Sequence, residues 1–268
     1  MRMILKEKIN ENKDFRIKVQ KLVYLSKYFG WNNRYHFNFH INGPYSALLS
    51  EDYSNIDLNS KYYEKIPNID MDKFKSFIKN QNTTILEAES TILYYSHKMN
   101  NKPLTKNDSI KILKSLKPHI SKDNASKSFD NIIKYNLFKK NIVDKKITNV
   151  NSLENIVNDK AKGLMDIYET FSVSSNRLFI LGSLDYFRIV LQKANLNDIA
   201  KLELLKNLYD YSEKIEKDYF KNYSLINEFT FRDLTPLKND FDKLEKYVSD
   251  ELKIIPKFDE TSDLSMFF

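Results

Sequence analysis

Leu237, Phe241, Leu244, Val248 and Leu252 are spaced four, three, four and four residues apart, and Leu204, Leu208, Tyr211, Ile215 and Tyr219 repeat the same intervals. A period near 3.6 keeps such positions on one side of a helix, so each segment carries an apolar stripe that another helix has to cover. The second half of the chain is therefore expected to form four amphipathic helices packed as a small bundle. Ser152, Ser175, Asn197 or Asp198, and Thr235 are the expected N-caps, with Pro236 at the first helical position of the last helix.

The first half mixes two periods. DFRIKVQKLVYLSKYF (14–29) places Phe15, Val19, Leu22, Val23 and Phe29 at helical spacing, with Asp14 as the expected N-cap and Gly30 as the stop. RYHFNFHIN (34–42) alternates, putting Tyr35, Phe37, Phe39 and Ile41 on one face and His36, Asn38, His40 and Asn42 on the other, as in a half-buried strand. His36 and His40 share a face, but four residues of strand separate them by about 13 Å, too far for one metal ion. They read as solvated histidines. Gly43-Pro44 ends this strand and SALLSEDY starts a helix. In GPYS, Gly43 permits a sharp turn, Pro44 presets φ for a first helical turn and Tyr45 can reach back to the preceding helix; the stretch is either a structural corner or a binding loop.

From residue 83 the pattern is helical again, in TTILEAESTILYYSHK, KNDSIKILKSLK and SKDNASKSFDNIIKYN, the last with Ser121 as N-cap, followed by LFKKNIVDKKITNV. Three short helices and segments that can pair as a hairpin are compatible with a winged helix-turn-helix. The expected fold is mainly α: a helical N-terminal domain with a small strand or hairpin element and a winged-helix-like part, then an α-helical bundle.

Charge divides the chain near residue 150. Residues 1–150 carry 27 Lys/Arg against 15 Asp/Glu, whereas residues 151–268 carry 16 against 21. Such a step suggests a polyanion-seeking unit followed by one that is not, or two faces of opposite sign that dock on each other. The expected organisation is a basic domain over 1–148, a bundle over 149–256 and a flexible tail over 257–268. Residues 102–146 hold twelve lysines against four aspartates. Lys122, Asn124, Ser126, Lys127 and Lys134 on the third helix, with Lys139 and Lys140 after it, either meet nucleic-acid phosphates and base edges or form an ordinary solvated face.

The absence of cysteine excludes disulfides, thiolate metal sites and a cysteine nucleophile. No apolar run has the length of a signal-peptide core or a membrane span, so a soluble, cytoplasmic protein is expected. GxSxG, P-loop, GxGxxG and HExxH patterns are all missing. Glu51 with Asp52 and Glu87 with Glu89 are paired carboxylates, but helix neighbours one or two apart diverge and cannot share a substrate atom. His97 and His119 are isolated in sequence. The expectation is a protein without catalysis, cofactor or metal.

The order QKLVYLSKYFG, FHINGPYSALLSEDY, LEAESTILYYSH and KILKSLKPHISKDNASKSFDNIIKYNLF resembles the YwgA family of bacterial and archaeal proteins over residues 1–141, and more distantly the Panacea (SocA-like) domains that serve as antitoxins. The matching positions are Gln20, Lys21, Leu22 and Tyr24; Gly43, Pro44, Tyr45 and Ser46; and Leu86, Glu87, Ala88, Leu116, Lys117 and Pro118. The resemblance implies a compact, mainly helical fold with one small strand element, and interaction or regulation in place of catalysis. A protein that sequesters a toxin-like partner is one expectation.

TSDLSMFF (261–268) supplies another. Its Leu264, Phe267 and Phe268 match the Gln-x-x-aliphatic-x-x-aromatic-aromatic peptide by which replication and repair proteins grip the sliding clamp (PCNA) of archaea and eukaryotes. Thr261 stands where that motif has glutamine. One 3₁₀ turn brings residues three and four apart to one side, making a three-pronged apolar plug, and Thr261 lacks the reach of an amide. Pro256 and the polar KFDETSD stretch suit a leash. The other reading is a hydrophobic tail folded back on its own bundle. The expected function is thus a DNA-associated interaction protein tethered to the clamp and contacting nucleic acid through its basic half.

Overall fold

The computed structural model of the chain describes residues 12–54, 68–99, 104–139, 150–170, 174–193, 196–222 and 233–254. Among them the protein is mainly α, with ten α-helices and one two-stranded antiparallel hairpin. No described helix is long and apolar enough to cross a membrane. The chain divides into two compact units, residues 1–146 and 147–268.

The first unit opens with α1 (Lys13–Ser26), which continues as a 3₁₀ turn, Lys27–Phe29, and stops at Gly30 with φ +100°. A Cβ at Gly30 would collide with the Asn68 carbonyl oxygen, so both space and φ call for glycine. The cap is Asn12, whose Oδ1 accepts from Phe15 N at 3.2 Å, and not Asp14, whose carboxylate takes the Thr83 hydroxyl at 2.9 Å. The buried face also differs from the apolar stripe. Gln20, Lys21, Tyr24, Leu25 and Tyr28 are buried, while Phe15, Val19, Leu22 and Val23 are half-buried. An apolar stripe cannot reveal a face whose polar members are buried with hydrogen-bond partners, as Gln20 and Lys21 are.

The 34–42 stretch pairs over only three residues. Strand β1 (Asn38–His40) runs antiparallel to β2 (Gly43–Tyr45) in the register Asn38 to Tyr45, Phe39 to Pro44 and His40 to Gly43. Gly43-Pro44 therefore belongs to a second strand instead of ending the sheet. Phe37 and Phe39 are buried as the alternation requires, but Ile41 falls in the turn and is 52 % exposed, and Asn38, assigned to the polar face, is buried. Helix α2 (Ala47–Ser54) follows, and α3 (Met71–Ile78) is capped by Asp70.

Helix α4 (Thr83–Lys98) is the centre of this unit. It packs against α1, β2, α5 (Lys106–Leu116) and α6 (Lys122–Lys134), and every residue from Leu86 to Tyr94 is buried. A capping box of Thr105 and Asp108 starts α5, and Ser121 caps α6 by accepting from Asn124 N at 3.2 Å, as expected. Residues 137–139 form a 3₁₀ turn; the rest of the segment expected to pair as a wing, 140–149, lies outside the described residues.

The second unit contains α7 (Val150–Tyr168), α8 (Ser175–Lys193), α9 (Asp198–Asn222) and α10 (Thr235–Lys246), the last running into a π turn at Tyr247–Glu251. Leu204, Leu208, Tyr211, Ile215 and Tyr219 are all buried, and so are Leu237, Phe241, Leu244 and Val248. Leu252 follows the π turn and is only half-buried. Phe241 lies edge-on to Phe179 and Tyr186, fixing α10 to α8 through aromatic contacts. Asn197 caps α9 as expected, accepting from Ala200 N at 2.9 Å. The other starts shift. Ser152 lies inside α7, Ser174 caps α8 through Arg177 N, and Leu234 holds the cap position of α10 while Thr235 N donates to Asp233. The starts of α8 and α10 shift by one residue, the scale on which helix ends vary, and α7 begins two residues before Ser152.

Candidate functional site beneath the hairpin

Gln20, Lys21, Ser46, Glu87 and Lys117, far apart in sequence, converge in three dimensions around the hairpin. From α1, Gln20 forms a reciprocal amide pair with Ser46, donating from Nε2 to Ser46 O at 3.0 Å and accepting from Ser46 N at 2.9 Å. One turn face away, Lys21 Nζ donates to Pro44 O at 2.7 Å. From the end of α5, Lys117 Nζ donates to Ile41 O and lies 3.0 Å from Glu87 Oε1 of α4. Glu87 Oε2 is 3.1 Å from His119 Nε2. Two lysines thus hold the hairpin by its carbonyl oxygens, and one carboxylate stands beneath them.

Local sequence places each group. Pro118 disfavours helix at Lys117, whose φ of −142° and ψ of +67° end α5 and turn its side chain inward. The tight turn closed by Ile120 N to Lys117 O at 2.9 Å then brings His119 over Glu87. Gly43 has φ +83°, and a Cβ there would sit 2.9 Å from Thr91 Oγ1 and 3.5 Å from Lys21 Nζ. The hairpin approaches α4 and α1 this closely only because position 43 has no side chain.

Electrostatically the cluster is unequal. Lys21 and Lys117 are each 2 % exposed, while the His119 side chain is 57 % exposed and forms the wet edge. Burial, and then the neighbouring Lys117, hold the Lys21 amine well below the ordinary lysine range, with Glu87 opposing. Burial lowers Lys117 as well, and Glu87 pulls it back. One carboxylate stands against two amines, and both amines donate to hairpin carbonyl oxygens. What this arrangement does chemically is hold main chain. Gly43→Ala is expected to lower stability by about 1–3 kcal/mol, because both the left-handed φ and the contact with Thr91 resist a methyl group. A thermal melt of the variant at neutral pH measures this.

The paired carboxylates diverge. Glu89 turns to Gln81 Nε2 and Asn131 Nδ2, away from Glu87, and Asp52 accepts from Arg34 and from the Tyr35 hydroxyl while Glu51 is exposed. Glu87 and His119, 32 residues apart and without any sequence motif in common, are the pair that sequence reasoning left separate. The signal available was a pair of glutamates, Glu87 and Glu89, within the otherwise apolar and small-residue run ILEAESTIL.

Of the expected nucleic-acid residues, Lys122, Lys127, Lys134 and Lys139 are exposed and Asn124 is half-buried. Lys140 lies outside the described residues, as do Thr261, Leu264, Phe267 and Phe268. Along α6, Asp123 and Asp130, both exposed, stand four residues before Lys127 and Lys134, so this row alternates in sign. Asp130 also receives Lys106 Nζ at 2.7 Å. Lys134 lies 5.5 Å from the Tyr135 ring centre. Among the described residues no group of three His, Asp or Glu is placed to hold a metal ion. No family model, no curated protein and no solved structure matches the chain.

Proposed function

We propose that the protein is a non-catalytic, DNA-associated interaction protein, tethered to the sliding clamp through residues 261–268 and contacting nucleic acid through its basic first unit. The observation that carries this reading is the sequence pattern of Leu264, Phe267 and Phe268, which one 3₁₀ turn would bring to one side, after the polar, acidic residues 257–263. The excess of lysine in residues 102–146 supports the nucleic-acid part. The buried polar cluster supports a non-catalytic role, since its amines are turned to the hairpin carbonyls.

The test is a calorimetric titration of the full chain against an archaeal sliding clamp. Saturable binding is expected, weakened at least 100-fold by the Phe267→Ala, Phe268→Ala double change with the circular dichroism spectrum unchanged, because aromatic anchors dominate such peptides. Clamp binding that survives the double change ends this reading, as does loss of fold stability on deletion of residues 261–268. Anisotropy with duplex and single-stranded DNA tests the second contact: affinity is expected to fall steeply with salt. Charge reversal at Lys122 and Lys139 is expected to weaken it more than reversal at Lys127 or Lys134, which stand four residues after Asp123 and Asp130 on α6 and are partly offset by them.

A second reading, an antitoxin-like regulator that sequesters a partner protein, is favoured by the convergence of Gln20, Lys21, Gly43, Pro44, Ser46, Glu87 and Lys117 on one cluster. Stoichiometric co-purification with a small toxic protein, in place of clamp or DNA, decides for it.

A further inference from the structure

On the opposite side of α4 from the hairpin cluster, the Glu89 side chain is 0 % exposed. Its Oε1 accepts two amide N–H groups, from Asn131 Nδ2 of α6 at 2.7 Å and from Gln81 Nε2 at 3.0 Å. Gln81 Nε2 also donates to Phe77 O at 2.7 Å, at the C-terminal end of α3. Three segments, the end of α3, α4 and α6, therefore meet on one carboxyl oxygen. Glu89 Oε2 has no hydrogen-bond partner.

Among the described residues no cation forms an ion pair with Glu89. Lys21 of α1 binds the hairpin, Lys106 of α5 pairs with Asp130, and Lys75 of α3 and Lys127 and Lys134 of α6 are exposed. Tyr135, after α6, packs its ring on Phe77 with centroids 5.3 Å apart. A carboxylate buried without a cation is unfavourable, and although the two amides on Oε1 favour the charged form, a proton on Oε2, the oxygen they leave open, removes the buried charge.

We propose that the Glu89 carboxyl is a pH-sensitive latch, which in its protonated form joins the end of α3 and helix α6 to α4 and on losing its proton to solvent loosens that junction. Burial raises its pKa to about 8, against the smaller opposing effect of the Asn131 and Gln81 hydrogen bonds. The folded value is raised, so the stability it contributes is fully present below the ordinary glutamate range and is lost as pH rises through about 8. The latch thus works across physiological pH, where an ordinary glutamate is already ionised. The inference is independent of what the tail or the lysines bind.

The test uses the full chain and Glu89→Gln, which keeps the neutral shape without the titration. The melting temperature of the wild type is expected to fall between pH 6 and pH 9, and the Gln variant to show a flatter profile. Amide exchange in α6 and at the end of α3, corrected for intrinsic rates, is expected to accelerate over the same range in the wild type alone. Superimposable profiles for the two proteins overturn the proposal. If the variant does not fold, carbon-13 NMR of wild type labelled at glutamate carboxyls decides: one resonance titrating near pH 8 supports the latch, and titration of every glutamate below about pH 6 overturns it.

Discussion

Glu87→Leu is expected to destabilise the first unit by roughly 3–5 kcal/mol, the range found when one partner of a buried ion pair is removed. The carboxylate is the counter-charge of Lys117 at 3.0 Å and the feature that opposes the burial of Lys21. Without it, two amines that are each 2 % exposed face one another with hairpin carbonyls as their acceptors. For a unit of this size the melting temperature is expected to drop by on the order of 10 °C. Lys117→Met alone leaves Glu87 with His119 and is expected to lie in the same range. The double variant Glu87→Leu, Lys117→Met is expected to lose far less than the sum, because apolar groups then replace a pair instead of orphaning one half of it. Near-neutral single variants, read by chemical denaturation, would show that the pair holds nothing.

The second large effect is expected in the other unit. Lys160 of α7 is 1 % exposed and its Nζ stands 2.7 Å from both Glu216 Oε2 and Glu213 Oε1 of α9, with the Tyr209 ring centre 5.7 Å away. Lys160→Met removes the cation that stands 2.7 Å from both carboxylates, of which Glu216 is 1 % exposed. A loss of about 3–5 kcal/mol is expected at neutral pH. Its pH dependence has a definite sign. A buried carboxylate that loses its cation has its pKa raised, so the variant binds a proton more readily folded than unfolded, and its deficit relative to the wild type is expected to shrink as pH falls from 7 to 5. Denaturant melts of both proteins at the two values check this, and a deficit that grows on acidification contradicts the assignment.

How these groups were legible differs by kind. The 204–219 and 237–248 stripes could be read directly, since their apolar residues recur at the helical period and each was buried where the period placed it. The three helices from 83 to 134 were legible for the same reason, helped by Ser121 as an explicit cap. The buried face of α1 was not, because Gln20 and Lys21 are residues that hydropathy assigns to the surface. Nor was the second strand, because Gly43-Pro44 carries the same punctuation whether it ends a strand or turns into a new one.

By itself the sequence determined the helical class, the stripes that form the bundle and the scarcity of strand, because periodicity and capping act over a few residues and are written in consecutive positions. Only the tertiary structure decided which charges are buried. Lys117 reaches Ile41 across 76 residues and Lys160 reaches Glu216 across 56, and a lysine is tolerated in the interior only when such a distant partner is delivered to it. That delivery depends on how helices cross, which no local pattern records.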